Sequence, residues 1–240
     1  MKKEKISLSV FFPAYNEEEN IGASIKRALD VLGKITSNYE ILVVDDGSTD
    51  RTGEIVKKFC KKNHKIRIIQ HHKNRGYGIA LKSGFENAKK DLIFYTDSDL
   101  QFDLNEIEKL LPHIKDNDIV IGYRINREDP IMRLVAAYIY RLIVEYLLDL
   151  RVKDPDCAFK LCRKRVIDKI RPFESVRSGD VELLVKAKKH GFRIKEFGIK
   201  HLPRTKGKSE AATLFNLIKP KIVYLTIKEI LSLRNKITNI

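Results

Sequence analysis

Cysteine is scarce in this sequence and follows no recognisable pattern. Cys60, Cys157 and Cys162 are the three cysteines among 240 residues. A chain of this length can bury a sizeable core without cross-links, and three cysteines with no pairing logic argue against a disulfide framework. We therefore expect a reducing compartment. Neither the cysteines nor the six histidines have the spacing of a zinc site.

Several other signals are missing. Residues 1–6 are rich in lysine but lack the apolar stretch and cleavage site of a secretory signal, so we expect cytosolic exposure. Gly76 and Gly78 are followed by Leu81 where a dinucleotide fingerprint needs its third glycine, which argues against hydride transfer. The absence of a Walker loop excludes phosphoryl transfer by a P-loop. Without an internal repeat or a long linker, the sequence predicts one large domain with at most a small appendage.

Positive charge is concentrated in the second half of the chain. The sequence has 47 basic and 32 acidic residues, a net charge of +15. Residues 1–120 contain 20 basic and 19 acidic residues, whereas residues 121–240 contain 27 and 13. A basic half predicts an anionic partner, which is nucleic acid, an anionic membrane surface or a phosphorylated substrate. A lysine-rich solvated face is the alternative.

Apolar runs of strand length alternate with segments of helical period in the first half. The predicted strands are residues 8–12, 39–44, 66–70, 91–96 and 119–123, and the predicted helices are residues 20–32, 51–61, 77–88 and 104–114. Short strands separated by single helices predict an α/β fold with a mostly parallel central sheet, flanked by helices on both faces.

The second half is predicted to be more helical. Residues 131–150 carry an apolar stripe, but four charged side chains within it argue against a membrane-spanning segment. The stripe fits a core helix or a helix at a membrane surface equally well. A helix over 180–190, a strand over 193–201 and an amphipathic helix over 214–233 follow, the last of them started or kinked by Pro220. This last helix fits a membrane surface, the domain core or a partner chain.

Polar clusters follow the end of each predicted strand. They comprise residues 13–17 after the first strand, 45–48 after the second, 74–76 after the third, 97–99 after the fourth, and Arg124 after the fifth. Because the carboxyl ends of parallel strands meet at one edge of a sheet, these clusters predict a ligand-binding edge.

The chemistry of these clusters suits a metal and a nucleotide. Asp97 and Asp99 repel each other at this spacing, so a hard cation such as Mg²⁺ or Mn²⁺ would satisfy them while bridging a diphosphate. Gln101 offers a third oxygen. Asp45 and Asp46 could accept hydrogen bonds from a base or ribose, and Tyr15 offers a ring face to the base.

These residues form an ordered series of motifs. They are Pro13-Ala14-Tyr15-Asn16-Glu17, Asp45-Asp46-Gly47-Ser48-Thr49-Asp50, Asn74-Arg75-Gly76 and Asp97-Ser98-Asp99-Leu100-Gln101. The series resembles the family 2 inverting glycosyltransferases of GT-A fold. Residues 154–161, the pair Asp180 and Glu182, and residues 204–209 are similar to the dolichol-phosphate mannose synthase branch. The resemblance covers about residues 6–210.

The resemblance implies a division of the chain and a set of site residues. Residues 1–210 would form the GT-A domain, and residues 211–240 a C-terminal amphipathic helix. The implied nucleotide-sugar site comprises Pro13, Ala14, Tyr15, Glu17, Asp45, Asp46, Asn74, Gly76, Asp97, Ser98, Asp99, Arg204, Lys206 and Lys208. Asp97, Asp99 and Gln101 would hold Mg²⁺ or Mn²⁺, Arg124 with Arg133 would bind an acceptor phosphate, and Asp99, Arg124 and Asp180 are the implied catalytic residues.

The implied reaction moves a hexose, mannose or glucose, from GDP-mannose or UDP-glucose to a polyprenyl or dolichyl phosphate. Arg204, Lys206 and Lys208 would form a mobile basic loop that closes over the diphosphate. Relatives often carry transmembrane helices after this basic loop, so the amphipathic tail predicts peripheral attachment at the cytoplasmic face of a membrane, with the cytoplasm as the alternative. Homo-oligomerisation is left open.

Other functions remain in view at this point. A glycosyltransferase acting on a hydroxyl acceptor, in polysaccharide or glycoconjugate synthesis, would keep the same donor site and need a base such as Asp180 or Glu182. A nucleic-acid-binding protein is disfavoured, because the acidic edge would repel a phosphate backbone. An inert relative is disfavoured by the intact acidic motif.

Overall fold

The computed structural model describes residues 6–127, 129–204, 206 and 220–238. A seven-stranded sheet lies at its centre, in the order β3-β2-β1-β4-β6-β5-β7. The strands are β1 Ser7–Ala14, β2 Asn38–Asp45, β3 Ile66–Gln70, β4 Leu92–Thr96, β5 Ile119–Ile125, β6 Phe159–Arg163 and β7 Ile194–Lys200. The helices are α1 Ile21–Ile35, α2 Thr52–Lys62, α3 Tyr77–Asn87, α4 Ile107–Leu110, α5 Ile131–Leu148, α6 Lys164–Ile170, α7 Gly179–Lys189 and α8 Pro220–Thr238.

The central strands are buried on both faces. Every residue of β1 and of β4 is buried, which is typical of strands covered by helices on both sides. β1 pairs in parallel with β2 and with β4, and Ala14 lies opposite Asp45 at the carboxyl end of the first pair. The predicted parallel α/β sheet is confirmed, and its carboxyl edge brings the polar clusters together.

Three elements differ from the prediction. β6 runs antiparallel between β4 and β5, and it was missed because its five residues include Lys160 and Arg163. The short helix α6 was missed as well. Residues 104–114 do not form one helix; they break into 3₁₀ turns on both sides of α4, because Pro112 has no N–H with which to continue an α-helix.

An aromatic cluster joins α3 to the sheet. Phe11 of β1 stacks on Tyr95 of β4 with ring centroids 5.3 Å apart, and Phe85 of α3 packs edge-on against both. Phe85 also stacks on Phe173, in the segment before α7. Gly84 allows this approach, since a Cβ there would lie 2.4 Å from the Phe11 ring.

α5 is not a core helix. Its buried residues are Val144 and Leu148, whereas a row of its apolar side chains is exposed. The exposed row comprises Ile131, Met132, Val135, Tyr138, Ile139, Leu142 and Tyr146. α5 therefore presents an apolar surface of its own.

α8 packs against α5 and α7. It begins at Pro220 in the described part of the chain and buries Ile230, Leu233 and Ile237, while Tyr224 is 63% exposed. Residues 207–219, which include Lys208 and the start of the predicted tail helix, lie outside the described residues, so the division at residue 210 stays a prediction. None of the helices in the described ranges combines the length and apolarity that crossing a membrane requires.

We expect Gly84→Ala to lower the free energy of unfolding by about 1–3 kcal/mol, because the added methyl group overpacks the buried Phe11 ring. Gly33→Ala in α1 is the matched control. A Cβ at Gly33 meets no atom within 4 Å, so this substitution should stabilise the protein by about 0.5–1 kcal/mol. Urea unfolding of both variants measures the difference, and equal effects would contradict the packing argument.

Candidate active site

The loops after β1 and β2 are hydrogen-bonded to each other. The Asn16 amide donates to Ser48 Oγ at 3.0 Å, and the Glu17 amide donates to Thr52 Oγ1 at 2.9 Å. The Thr49 amide donates back to Asn16 Oδ1 at 2.9 Å. Backbone donors on one loop thus find side-chain acceptors on the other, which fixes the predicted nucleotide residues in one place.

Ser98 anchors the acidic loop after β4. Its hydroxyl donates to the carbonyl of Pro13 at 3.3 Å, and its own carbonyl accepts from Ser24 Oγ at 2.7 Å. Ser98 is buried, whereas its two neighbours Asp97 and Asp99 are partly exposed. The serine between the two carboxylates therefore holds them at the edge of β1 while leaving both accessible.

The surroundings of Asp97 and Asp99 disfavour the ionised form of both carboxylates. Burial, the Asp99 carboxylate and the Asp180 carboxylate raise the pKa of Asp97 well above its usual range. Burial also raises the pKa of Asp99. Ionised carboxylates in this environment would be stabilised by a cation.

The donor atoms present suit a hard cation. In the described ranges no cluster of three or more His, Cys, Asp or Glu side chains could hold a metal ion. Asp97, Asp99 and the oxygen of Gln101 would instead form a partial ligand set, of the kind that Mg²⁺ shares with substrate phosphates. The Gln101 Nε2 donates to the carbonyl of Leu202 at 3.1 Å, so its other amide atom, the oxygen, is the one left for a cation.

Arg204 connects the basic loop to the acidic edge. Its NH2 donates to both carboxylate oxygens of Glu17 at 2.8 Å, and its NH1 lies 3.5 Å from Asp99 Oδ2. The carbonyl of Lys206 accepts from Arg204 Nε at 2.8 Å and from Asn20 Nδ2 at 3.2 Å. The structure thus places Arg204 beside the acidic loop as expected, with Glu17 as its principal partner. The Lys206 side chain is exposed, and Lys208 lies outside the described residues.

Asp45 and Asp46 are buried and bound by the surrounding loops. Asp45 accepts from the Ser48 amide and from Gln70 Nε2, both at 2.9 Å. Asp46 accepts from the amides of Arg75 and Gly76 and lies 2.5 Å from His71 Nδ1. Both aspartates therefore connect neighbouring loops and strands at the carboxyl edge of the sheet.

The remaining predicted nucleotide residues lie on the same edge. Pro13 and Ala14 form the buried end of β1, and Tyr15 is partly buried beside them. Asn74 is exposed, and its Oδ1 accepts from the Gly76 amide at 3.1 Å.

Arg124 is held by a bidentate ion pair. Its Nε and NH2 donate to the two oxygens of Asp154 at 2.7 and 2.8 Å. Burial opposes the charged form of each group, but their mutual hydrogen bonds and charge raise the pKa of Arg124 and lower the pKa of Asp154. The predicted acceptor-binding arginine is therefore permanently charged and fixed in orientation.

Two more arginines lie nearby. Asp129 pairs with both of them: its Oδ2 lies 2.7 Å from Arg127 Nε, and its Oδ1 lies 3.0 Å from Arg133 NH1. Burial and the charges of Arg124, Arg127 and Arg133 lower the pKa of His201 to about 4, although the Asp129 carboxylate opposes this shift. Two guanidinium groups thus share the one Asp129 carboxylate, which leaves this ion-paired group with a net positive charge.

Asp180 lies beneath the acidic loop. Its Oδ1 accepts from Tyr95 OH and from Lys160 Nζ, and Lys160 is fully buried. Glu182 pairs with Lys186 at 2.6 Å and accepts from the Ser175 amide at 2.7 Å. Both carboxylates of the predicted pair are engaged in buried contacts.

Three site residues were not predicted from the sequence. His71 and Lys160 give no signal, because a lone histidine after a strand and a lysine within a short strand are usually solvated. Arg127 could have been found, since it lies between the two arginines that were singled out.

Comparison with known proteins agrees with this geometry. The family model described as Glycosyl transferase family 2 matches residues 9–171. Glycosyltransferase AglD of Haloferax volcanii is 28% identical over 211 residues, covering 83% of this chain and 34% of that protein. Dodecaprenyl-phosphate galacturonate synthase of Rhizobium johnstonii is 26% identical, covering 70% of this chain and 51% of that protein. The chain thus spans between a third and about half of the length of these two relatives.

A third relative is covered more fully. Dolichyl-phosphate beta-glucosyltransferase of Saccharomyces cerevisiae is 32% identical over 224 residues, covering 82% of this chain and 67% of that protein. Among solved structures, glucosyl-3-phosphoglycerate synthase from Mycobacterium tuberculosis, crystallised with Mn²⁺, UDP and glucosyl-3-phosphoglycerate, superposes with a TM-score of 0.67 at 17% identity. That match covers 93% of this chain and 80% of the other, and it confirms the expected GT-A fold. By its ordered motifs, its fold and the family match over most of its length, the chain belongs to glycosyltransferase family 2.

Proposed function

We propose that this chain transfers a hexose, mannose or glucose, from GDP-mannose or UDP-glucose to a polyprenyl phosphate, with inversion at the anomeric carbon. The observation that carries the proposal is the pair Arg127 and Arg133, two guanidinium groups that share the single carboxylate of Asp129 just before α5. It offers an acceptor phosphate fixed positive charge next to the donor diphosphate. Two of the relatives are named for a dodecaprenyl-phosphate and a dolichyl-phosphate acceptor, which supports this assignment.

The donor side consists of the acidic loop and the basic loop. Asp97, Asp99 and Gln101 would hold Mg²⁺ or Mn²⁺. Glucosyl-3-phosphoglycerate synthase, which shares the fold, was crystallised with Mn²⁺ and UDP. When bound, such a cation neutralises the charge on the departing diphosphate. Arg204, whose guanidinium lies 3.5 Å from Asp99, would add a second positive charge near the diphosphate.

The acceptor side needs charge more than it needs a base. A phosphate oxygen of the lipid forms a new bond to the anomeric carbon, while the bond from that carbon to the nucleoside diphosphate breaks and the electron pair leaves with the diphosphate. A phosphate monoester has its second pKa at about 6 and is already largely ionised at neutral pH. The task of the protein is to hold two anions close together, which the arginines achieve.

The environment of Asp180 supports a phosphate acceptor over a hydroxyl acceptor. A hydroxyl would have to lose its proton to a base, and Asp180 was the first candidate. Its carboxylate, however, accepts from Lys160 and Tyr95 and is only 4% exposed. We assign it a structural role in compensating the buried ammonium group.

The exposed apolar row of α5, together with Val223, Tyr224 and Leu231 of α8, supports peripheral attachment to a membrane. Arg141 lies over the ring of Tyr138, and the exposed Lys221 and Lys228 border the α8 side chains. Apolar side chains interspersed with cations are typical of a helix lying at an anionic lipid surface. Arg133 lies in the first turn of the same helix α5, and Arg124 and Arg127 lie in the segment that leads into it, so a lipid phosphate would reach them from the bilayer.

We expect the protein to transfer radiolabel from UDP-glucose or GDP-mannose to polyprenyl phosphate, and Asp97→Asn to reduce this transfer at least about 100-fold. The substitution removes charge from the cation site. Label extracted into the organic phase, with and without Mn²⁺, measures the activity. Asp103→Asn is the matched control, because this exposed residue caps a 3₁₀ turn and asparagine caps equally well.

A stability measurement separates a damaged site from a damaged fold. A carboxyl whose pKa is raised on folding destabilises the folded state at every pH above the pKa of the unfolded chain, so a neutral amide in place of the Asp97 carboxyl should stabilise the metal-free protein at neutral pH. We therefore expect Asp97→Asn to raise Tm by about 2–4 °C while abolishing transfer. Unchanged transfer and unchanged Mn²⁺ dependence would refute the proposed site.

We expect Asp180→Asn to lower the free energy of unfolding by about 3–5 kcal/mol, because it leaves the Lys160 ammonium buried without its counter-charge. With a phosphate acceptor, kcat of the folded variant should stay within about 10-fold of the original. The double variant Asp180→Asn with Lys160→Met should regain most of the stability and keep the same kcat. A stable double variant with kcat reduced about 1,000-fold or more would instead identify Asp180 as a base and the acceptor as a hydroxyl.

We expect Val135→Asp with Ile139→Asp to reduce binding to anionic lipid vesicles about 10-fold or more, because both side chains belong to the exposed apolar row. Vesicle flotation measures the bound fraction. Lys57→Gln on the exposed face of α2 lowers the net positive charge without touching that row, and it should change binding little. Equal losses for both variants would mean that bulk charge, not the apolar row, drives attachment.

A further inference from the structure

A buried histidine lies directly behind the nucleotide residues. His71 follows β3, and its backbone amide donates to the carbonyl of Asp45 at 2.9 Å. Its ring Nδ1 lies 2.5 Å from Asp46 Oδ1, and its Nε2 lies 2.9 Å from Ser83 Oγ on α3. The His71 and Asp46 side chains are only 7% and 5% exposed. The three groups connect β2, β3 and α3 behind the carboxyl edge.

The direction of these hydrogen bonds follows from the acceptor. An ionised carboxylate has no hydrogen to give, so Nδ1 carries the hydrogen and donates to Asp46. Nε2 then accepts from the Ser83 hydroxyl in a neutral ring, or donates to its oxygen in a charged one. In either case Asp46 receives the same N–H, so the contact does not depend on the charge of the ring.

Asp46 receives three N–H groups. A carboxylate offers about four acceptor positions. Asp46 Oδ1 uses one for His71, the Arg75 amide is shared between the two oxygens at 3.1 and 3.2 Å, and the Gly76 amide donates to Oδ2 at 2.9 Å. Asp46 therefore ties the turn of residues 74–76 to His71.

We propose that His71 is a positioning residue of the nucleotide pocket, which fixes Asp46 and, through Asp46, the backbone of the neighbouring predicted nucleotide residues Asn74 and Gly76. The same contact holds the turn of residues 74–76, because Asp46 binds two of its amides. This inference rests on the proposed function. Ser83 fixes the ring from the other side, and it therefore contributes to the same pocket from α3.

Two amide substitutions separate positioning from packing. In His71→Asn the side-chain N–H takes the place of Nδ1 and can still donate to Asp46. In His71→Gln the amide reaches the place of Nε2 and leaves Asp46 without that donor. We expect His71→Gln to raise the Kd for UDP or GDP about 10-fold, and His71→Asn to keep it within about 3-fold. The neighbouring exposed residue gives the control variant His72→Asn, which should bind like the unmodified protein.

The measurements are calorimetric titrations with UDP and with GDP in the presence of Mg²⁺, the Tm of each variant, and the steady-state constants. Positioning of the nucleotide predicts a higher KM for the donor in His71→Gln, with kcat changed less than about 3-fold. If the unmodified protein binds neither UDP nor GDP, the proposed function fails and this inference with it. If it binds one of them and His71→Gln binds equally well, or His71→Asn is equally impaired, the inference alone is overturned.

Discussion

Concentrated negative charge at the carboxyl edge of the sheet is the constraint on which the rest of the site depends. Parallel strands deliver their terminal aspartates to one place, and each carboxylate there needs a partner. Asp99 faces Arg204, Asp180 is bound to Lys160, Asp154 is bound to Arg124, and Asp46 is bound to His71. Burial and the carboxylates of Asp99 and Asp180 raise the pKa of Asp97 well above its usual range, although Arg124 and Tyr77 oppose the shift. A cation bound at this edge would offset the negative charge of the carboxylates, and it would in turn attract an anionic ligand.

Two residues with positive φ shape the loops that carry these charged side chains. Gly47 has a φ of 73°, and a Cβ there would lie 2.3 Å from the backbone of Lys73. Glycine is therefore required for the loop after β2 to lie against the loop after β3. Leu100 has a φ of 64° in the acidic loop, where the Gln101 amide donates to Asp99 at 3.1 Å. A strained turn of this kind at a binding edge is consistent with a loop shaped for its ligand rather than for stability.

The sequence predicts local features of this protein well and distant partners poorly. The first five strands have short apolar runs with turn residues after them, so both their position and the polar edge followed from local pattern. Arg204 and Glu17 are 187 positions apart, and nothing local indicates that one neutralises the other. Arg124 was correctly placed near the edge, but its bidentate partner Asp154 belongs to a segment whose strand, β6, was not predicted. Lys160 was missed for the same reason, because a buried lysine is recognisable only from the carboxylate that it meets in the folded chain.

The apolar surface and the donor edge are connected by one short segment. Glu229 of α8 accepts from the amides of Arg177 and Ser178, both at 3.0 Å, which fixes the start of α7. The adjoining carbonyl of Val176 accepts from the Gly78 amide at 2.8 Å, at the start of α3. Two hydrogen-bonded steps thus lead from the helix that borders the apolar surface to the turn that Asp46 holds. α8, the start of α7 and the start of α3 are connected by hydrogen bonds to the backbone, so the same segment that seats α8 also borders the turn that Asp46 holds.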